Sequence, residues 1–214
     1  MAAPAPYRSP HGFTLLPGYF DRAAQQGLLE RVRDGLKSAP LYRPVMPRTG
    51  KPLSVRMSNF GPLGWISAKT GYAYSHSHPQ TGAPWPPLPK LLAQLWQDVA
   101  TWPQAPEACL INYYDNTARL GLHVDADENA AQAPIVSVSL GDQALFRLGG
   151  PARSDASRSL RLSSGDVVVL ADEARRCYHG VDRIYGGTST LLRGGGRINL
   201  TMRVVGRATT RKEK

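Results

Sequence analysis

Residues 134–170 read PIVSVSLGDQALFRLGGPARSDASRSLRLSSGDVVVL, and this segment decides the class of fold. It contains four short runs of apolar or alternating residues, PIVSVSL, ALFRL, SRSLRL and DVVVL. Turn-forming residues separate the runs, among them Gly149-Gly150 and Ser163-Ser164-Gly165. Short runs of this kind between turn residues are typical of β-strands. The segment therefore predicts four closely spaced strands.

Four similar runs flank this segment: ACLINYY (108–114), ARLGLHV (118–124), RRCYH (175–179) and RINLTMRVV (197–205). Eight short strands at this spacing favour a sandwich or barrel such as a jelly roll. The expected fold class is therefore mainly β with flanking helices.

The first 107 residues have a different pattern. Residues 1–12 are expected to form a loose arm, and GFTLLPGYF a short strand before a helix that begins at Asp21, a residue type favoured at N-caps. Residues 40–87 are rich in Pro, Gly, Ser and aromatic residues, which predicts short strands and long loops that often carry binding functions. A second helix is predicted from one apolar face: Leu88, Leu91, Leu92, Leu95, Trp96 and Val99.

Positive charge is unevenly distributed along the 214 residues, whose formal net charge is +10. Residues 35–97 hold seven Lys or Arg and no acid, and residues 175–214 hold ten against two acids. Two segments of one sign favour a polyanionic partner, with a basic surface that binds nothing as the alternative. No apolar run approaches the ~20 residues of a membrane span, and no apolar signal core is apparent at the start. We therefore expect a cytoplasmic protein without membrane contact.

Residues 120–129, LGLHVDADEN, place one histidine and three acids within six positions. On a strand, His123 and Asp125 would point to the same side because side chains alternate. Such a pair supplies two corners of the 2-His-1-carboxylate triad of Fe(II) oxygenases. A core histidine followed by a solvated acidic turn is the competing interpretation. Among the other histidines, His179 is the best candidate for a third ligand, because it follows RRCY in the same β-rich half.

The last predicted strand, RINLTMRVV, has two different faces. Polar side chains occupy one face and apolar ones the other: Arg197, Asn199, Thr201 and Arg203 against Ile198, Leu200, Met202 and Val204. The polar face fits an edge strand exposed to water. It also fits a site for a dicarboxylate cosubstrate of the iron, because arginine binds carboxylates in bidentate fashion. Asn112 and Tyr114 share a face upstream and would add hydrogen bonds.

Several of these motifs together resemble the AlkB family of Fe(II)- and 2-oxoglutarate-dependent dioxygenases. The motifs are NYYDNTARLGLHVDADE, APIVSVSLG, GDVVVL, YHG and RINLTMR, with LGWISAKTGYAYS and HPQTGAPWP upstream. The resemblance covers roughly residues 54–203, in order and with compatible spacing. It implies a double-stranded β-helix, or jelly-roll, core with an N-terminal nucleotide-recognition lid.

The resemblance also implies roles for individual residues. Fe(II) would be bound by His123, Asp125 and His179. The cosubstrate 2-oxoglutarate would be held by Asn112, Tyr114, Arg197, Asn199 and Arg203. The damaged nucleotide would be contacted by Trp65, Tyr72, Tyr74, Asp127 and Arg153. Without the resemblance, the aromatic residues would be interpreted as core packing and Arg153 as part of a solvated loop.

The expected organisation is one compact unit with three parts. Residues 1–107 would form the N-terminal extension, helices and lid; residues 108–206 the dioxygenase core; and residues 207–214 a basic tail. The implied reaction is oxidative demethylation of N1-methyladenine or N3-methylcytosine with Fe(II), 2-oxoglutarate and O2. It releases formaldehyde, succinate and CO2 and repairs DNA by direct reversal. Asp127 would face the cationic base and Trp65 would stack on it.

The expected partner is alkylated DNA, preferably single-stranded, with RNA left open, and the expected state is a monomer. Three alternatives remain at this point. A 2-oxoglutarate-dependent hydroxylase of RNA or protein would use the same metal site. A metal-dependent nucleic-acid hydrolase would need no cosubstrate pocket. A non-enzymatic nucleic-acid-binding protein would explain the charge but not the ligand set.

Overall fold

A computed structural model describes residues 5–9, 11–68 and 71–206. In chain order its elements are β1 (Tyr7–Arg8), β2 (Phe13–Leu16), α1 (Arg22–Gly35), β3 (Arg56–Phe60), β4 (Gly64–Ala68), β5 (Gly71–Ser75), α2 (Lys90–Val99), β6 (Ala108–Tyr114), β7 (Leu120–His123), β8 (Ile135–Gly141), β9 (Gln143–Leu148), β10 (Arg158–Leu162), β11 (Val167–Leu170), a 3-10 helix (Asp172–Arg176), β12 (His179–Tyr185) and β13 (Arg197–Arg203).

Two antiparallel sheets face each other. The large sheet has the strand order β1-β2-β11-β8-β13-β6-β3, and the small sheet has the order β10-β9-β12-β7. Apolar side chains of both sheets meet in the space between them, for example Ile135 and Leu170 with Phe146 and Val181. This is the jelly roll that the sequence predicts.

The two long helices cover the outer face of the large sheet. Helix α1 begins as predicted, because the Asp21 side chain accepts a hydrogen bond of 2.8 Å from the backbone N–H of Ala24. Buried residues of both helices, such as Val32 and Leu95, pack in one cluster with the outward-facing residues of the sheet. Leu91 departs from the predicted apolar face and is 38% exposed. The inner face of the large sheet is not covered by these helices and faces the small sheet.

Strand β13 lies in the middle of the large sheet, between β6 and β8. The two faces predicted for it are confirmed. Its apolar residues, such as Leu200, belong to the core under the helices, and its polar residues point into the space between the sheets. It is not an edge strand, so its polar face is not explained by contact with bulk water.

The predicted strand at residues 175–179 is wrong. This region is a 3-10 helix followed by two residues of irregular chain, and β12 begins only at His179. The physical reason is Arg175, whose guanidinium turns inward and donates to the backbone carbonyls of Ala133 and Asp125 at 2.9 and 2.6 Å. Asp172, the first residue of this helix, has a φ of 47°.

The N-terminal region also differs from expectation. The predicted loose arm is partly ordered, since Tyr7 and Arg8 pair with Leu15 and Thr14 as strand β1. Strands β1, β2 and β3 all join the large sheet. The large sheet therefore contains strands from both sides of residue 108. The division of the chain into an N-terminal part and a dioxygenase core at that residue stays a prediction. The basic tail, residues 207–214, lies outside the described residues.

Strands β4 and β5 form a separate two-stranded hairpin. Two aromatic side chains attach it to the body: Tyr42 donates to the Trp65 carbonyl at 3.2 Å, and Trp85 donates to the Ser75 carbonyl at 2.8 Å. A Cβ atom at Gly64 would lie 2.3 Å from the Trp85 ring, so this close approach requires glycine. No helix in the described ranges is long and apolar enough to cross a membrane.

Candidate active site

Three side chains converge where β7 and β12 meet. His123 ends β7 and His179 begins β12, and the two are direct cross-strand partners. Asp125 follows in the loop after β7. Its carboxylate oxygens lie 3.6 Å from His123 Nε2 and 3.5 Å from His179 Nε2. The ligand atoms of all three residues lie within 4.8 Å of one another, and two imidazoles with one carboxylate form the donor set of a facial-triad Fe(II) site.

Both imidazoles are held in the orientation that metal binding needs. His123 Nδ1 lies 2.9 Å from the Gly121 carbonyl, and His179 Nδ1 lies 3.0 Å from the Cys177 carbonyl. A carbonyl accepts but cannot donate, so each Nδ1 carries the proton and each Nε2 keeps a free lone pair. Burial lowers the pKa of His123, which favours the neutral form that coordinates metals.

Asp125 is buried and ionised. Burial opposes its ionisation, yet the guanidinium of Arg203, whose nitrogen lies 2.7 Å from Asp125 Oδ1, and the two histidines hold its pKa below the usual range of a carboxylic acid. The second oxygen, Oδ2, has no hydrogen-bond partner among the described residues. A buried anionic oxygen without a partner beside two imidazole lone pairs fits a divalent cation.

A cavity of about 310 Å³ opens beside these three residues, between the two sheets. It is lined by every candidate site residue named in the sequence analysis except Tyr74 and Arg153. The structure therefore brings the predicted metal ligands, the predicted cosubstrate residues and part of the predicted nucleotide contacts to one space.

Arg197 provides a positive charge at the inner end of this cavity. Its side chain is fully buried, and burial lowers its pKa to about 10, so it remains charged near neutral pH. It donates to the Ser139 hydroxyl at 2.6 Å and to Asn199 Oδ1 at 3.0 Å. Within the described residues no carboxylate forms an ion pair with it, and its Nε atom has no partner. Asn112 Oδ1 is likewise buried without a partner.

Asp166 acts on Arg197 only through its charge, without direct contact, and a buried arginine that no carboxylate contacts is costly to keep because it loses its hydration. Arg197 with Asn112 and Asn199 therefore fits an anionic, hydrogen-bonding ligand such as a carboxylate. Arg203 lines the same cavity but is already engaged. Its terminal nitrogens donate to Asp125 and, at 2.9 Å, to Glu128.

Trp65 and Asp127 lie together in the lining of the same cavity. The indole N–H of Trp65 donates to Asp127 Oδ2 at 2.8 Å, and the rings of Trp65 and Tyr72 lie 4.8 Å apart. Trp65 is buried, whereas Tyr72 is 45% exposed. A negative carboxylate beside two aromatic faces is suited to a flat, cationic group.

Two predicted nucleotide contacts lie off the cavity lining. Tyr74 shares a face of the hairpin with Tyr72 and with its cross-strand partner Trp65, but its hydroxyl meets Glu128 and Arg203. Arg153 donates to the Leu122 carbonyl at 2.9 Å and lies over the Tyr178 ring. Their roles toward substrate stay predictions.

Sequence reasoning missed two residues of this region, Glu128 and Arg175. Both are buried, and Arg175 donates to Glu128 Oε2 at 2.9 Å. In the sequence, Glu128 is one more acid in an acidic turn, and Arg175 is one of two adjacent arginines. Glu128 and Arg175 differ from surface residues only in the folded protein, where their charges alternate with those of Asp125 and Arg203.

The histidines outside the triad have other surroundings. His78 is buried, donates through Nε2 to the Pro40 carbonyl and accepts through Nδ1 from the N–H groups of Gln80 and Thr81. His76 and His11 are exposed, and His11 pairs with Glu173. Among the described residues, His123, Asp125 and His179 form the one group in which three possible metal ligands lie close together.

Comparison with known proteins gives consistent matches. A sequence profile of the 2OG-Fe(II) oxygenase superfamily matches residues 12–203. The alpha-ketoglutarate-dependent dioxygenase AlkB homolog of Caulobacter vibrioides is 50% identical over 194 residues, 90% of this chain and 87% of that protein. Alpha-ketoglutarate-dependent dioxygenase AlkB of Escherichia coli is 42% identical over 200 residues, 92% of this chain and 91% of that protein.

More distant proteins match as well. The nucleic acid dioxygenase ALKBH1 of Mus musculus is 33% identical over 175 residues, which are 79% of this chain and 42% of that protein. The structure of OsALKBH1 superimposes with a TM-score of 0.82 at 29% identity, over 94% of this chain and 100% of that chain. The span matched by the superfamily profile includes every residue that lines the cavity.

Proposed function

Because the chain belongs to the AlkB family of Fe(II)- and 2-oxoglutarate-dependent dioxygenases, we propose that it demethylates N1-methyladenine and N3-methylcytosine in DNA. The reaction consumes O2 and 2-oxoglutarate and yields succinate, CO2 and a hydroxymethyl group on the base nitrogen. That group leaves as formaldehyde and restores the unmodified base. RNA is a second substrate to test, since one relative is named a nucleic acid dioxygenase.

One observation carries the proposal: the metal triad, Arg197, which no carboxylate contacts within the described residues, and the Trp65–Asp127 pair all line a single cavity. The triad alone fits many iron enzymes, and Arg197 alone fits any carboxylate. A metal site with a carboxylate-binding cation on one side and an acidic, aromatic mouth on the other fits the cosubstrate and a cationic base together.

His123, Asp125 and His179 would hold the iron, which when bound supplies the oxygen activation that oxidises 2-oxoglutarate and the methyl group. The protein itself fixes the ligands. The two backbone carbonyls set the histidine tautomers, and Arg203 holds the carboxylate of Asp125. A triad occupies only three positions on the metal and leaves others for cosubstrate and oxygen.

We assign 2-oxoglutarate to the inner part of the cavity. Arg197 would neutralise a carboxylate, and Asn199, Asn112 and Tyr114 would add hydrogen bonds. Arg203 would contact the cosubstrate while it keeps its bond to Asp125. Support for this assignment comes from Arg197 Nε and Asn112 Oδ1, two buried polar atoms without a hydrogen-bond partner among the described residues.

We assign the damaged base to the mouth. Methylation at N1 of adenine or N3 of cytosine leaves a positive charge on the ring. Trp65 and Tyr72 would stack on this ring, and Asp127 would bind its charged edge. A base buried in a duplex must be flipped out to reach such a site, which costs least in single-stranded or damaged DNA. We therefore propose single-stranded DNA as the preferred substrate. We also propose that the enzyme is a monomer and acts in the cytoplasm, as expected from the sequence.

Incubation with a single-stranded oligonucleotide that contains one N3-methylcytosine tests this function. Formaldehyde and succinate are expected in equal amounts, and only when Fe(II), 2-oxoglutarate and oxygen are all present. Release of succinate without loss of the methyl group from DNA or RNA would contradict the proposed substrate. Such succinate would come from turnover that is not coupled to oxidation of the oligonucleotide, and proteins and small molecules would become the substrates to test.

The charge of Asp127 gives a sharper prediction. Asp127→Asn keeps the size of the side chain and an oxygen that can accept from Trp65, but removes the negative charge. A charge-assisted hydrogen bond contributes roughly 1.5–3 kcal/mol, so kcat/KM for N3-methylcytosine should fall by about tenfold to hundredfold. Uncharged etheno adducts, where accepted, should lose less. Binding of metal and 2-oxoglutarate should remain, because Asp127 contacts neither predicted site.

The decisive quantity is the ratio of kcat/KM values for one cationic and one neutral lesion. It is measured in the wild type and in the Asp127→Asn variant under the same conditions. An equal ratio in both proteins would show that Asp127 is only a solvated acid of the turn.

A further inference from the structure

Glu128 is a buried carboxylate with three hydrogen-bonding partners from three parts of the fold. Its side chain is 0% exposed. Oε1 accepts from Tyr74 of the β4–β5 hairpin and from Arg203 of β13, the latter at 2.9 Å, and Oε2 accepts from Arg175 of the 3-10 helix at 2.9 Å. Burial of a carboxylate is tolerated only when it is paired in this way.

The partners of Glu128 lead directly to the metal ligand Asp125. Arg203 donates to the Asp125 carboxylate at 2.7 Å, and Arg175 donates to the Asp125 backbone carbonyl at 2.6 Å. Two carboxylates and two guanidinium groups therefore balance in charge within one buried cluster. Loss of the Glu128 charge would leave the cluster with one excess positive charge beside a site for a dication.

Tyr74 extends the same cluster into the hairpin that carries Trp65 and Tyr72. The Tyr74 hydroxyl donates to Glu128 and accepts from Arg203 at 3.2 Å. Residues 124–134, the loop that holds Asp125 and Asp127, contain no helix or strand. Backbone N–H groups of Asn129 and Ala130 tie this loop to the Val205 carbonyl. The side-chain bonds of this cluster and the Trp65–Asp127 bond link it to the hairpin.

We infer that Glu128 is a positioning residue that couples the β4–β5 hairpin to the metal site, through Tyr74 on one side and Arg203 and Arg175 on the other. When a dication withdraws charge from Asp125, Arg203 bonds more strongly to Glu128 and Tyr74, which holds the hairpin over the cavity. Since coupling between two binding events is reciprocal, a base held under the hairpin tightens the metal site in turn. The identity of the ligand under the hairpin rests on the proposed function, whereas the effect of Glu128 on the metal site does not depend on that substrate.

The first test uses metal binding alone and needs no nucleic acid. Glu128→Gln is expected to weaken Mn(II) binding by about tenfold, the lower end of the range for loss of a direct partner of a metal ligand, because Glu128 acts on Asp125 through Arg203 and Arg175. Glu107→Gln is the matched control, because Glu107 bonds the backbone N–H groups of Val205 and Gly206 and lies outside the cluster. Equal weakening in both variants, or none in Glu128→Gln, overturns the inference.

The second test uses Tyr74→Phe, which removes one hydroxyl and keeps the ring, in case Glu128→Gln fails to fold. The affinity for an N3-methylcytosine oligonucleotide is measured with and without Mn(II) and 2-oxoglutarate, a combination chosen to avoid turnover. The wild type should bind at least about fivefold more tightly when loaded, and Tyr74→Phe should bring this ratio close to one. Tyr42→Phe, which removes another hydroxyl that supports the hairpin, should keep the wild-type ratio.

A ratio of one in the wild type, or an unchanged ratio in Tyr74→Phe, contradicts the coupling. If the wild type binds no methylated oligonucleotide in either state, the proposed substrate is wrong. The Mn(II) measurement then decides the role of Glu128 independently.

Discussion

Replacement of His179 by alanine is expected to reduce formaldehyde release to the level of metal-free protein. The variant loses one of three metal ligands, and Asp125 and His123 alone form an incomplete site. The fold should persist, because His179 begins β12 while the pairing of that strand with β9 extends to Tyr185. Release of formaldehyde and the dissociation constant for Mn(II) are the two measurements.

His11→Ala serves as the control for this variant. His11 is exposed, pairs with Glu173 and lies outside the cavity lining. It should retain activity and Mn(II) affinity. Full activity in His179→Ala would falsify the triad and require a different third ligand.

Arg197→Met is expected to weaken 2-oxoglutarate binding by about a hundredfold or more. Each charge-assisted hydrogen bond contributes roughly 1.5–3 kcal/mol, and a guanidinium can give a carboxylate two. Methionine fills much of the volume without charge, so the loss reports the cation rather than an empty space. Saturating 2-oxoglutarate should raise the Tm of the metal-loaded wild type and leave that of the variant nearly unchanged.

Nucleic-acid binding separates this role from an alternative one. Arg161→Met is the control, since Arg161 is exposed and lies 4.1 Å over the ring of Tyr185. We expect Arg197→Met to bind a methylated oligonucleotide almost as well as the wild type. Loss of oligonucleotide binding with intact 2-oxoglutarate binding would place Arg197 at the phosphate backbone instead.

The regular parts of the fold were predictable because their patterns are local. Side-chain alternation over residues 197–205 gave the two faces of β13, and Asp21 marked the start of α1. The pair His123 and Asp125 was predictable because two residues so close in the sequence stay close in space, although β7 ends at His123 and Asp125 lies in the loop after it. The third ligand, His179, required an inference about which distant strand lies beside β7.

The failures arose where partners distant in the sequence determine the conformation. Nothing in RRCYH indicates that Arg175 turns inward, because its partners are Glu128 and two carbonyls more than forty residues away. For the same reason Arg203 was predicted only as a cosubstrate contact, whereas it also holds a metal ligand. Whether a charged residue is buried depends on the partners that the fold brings beside it, and a local sequence pattern does not identify those partners.

The position of β13 has a consequence for how proteins of this design diverge. One face of its seven residues completes the core beneath the helices, and the other lines the cavity to which we assign the cosubstrate. Selection for a stable protein and selection for the chemistry therefore act on the same short segment, and few substitutions there satisfy both. The β4–β5 hairpin contributes no strand to either main sheet, so its residues other than Gly64, Trp65 and Tyr74 are less constrained by the core. New substrates should be acquired there, with the oxidation itself inherited unchanged.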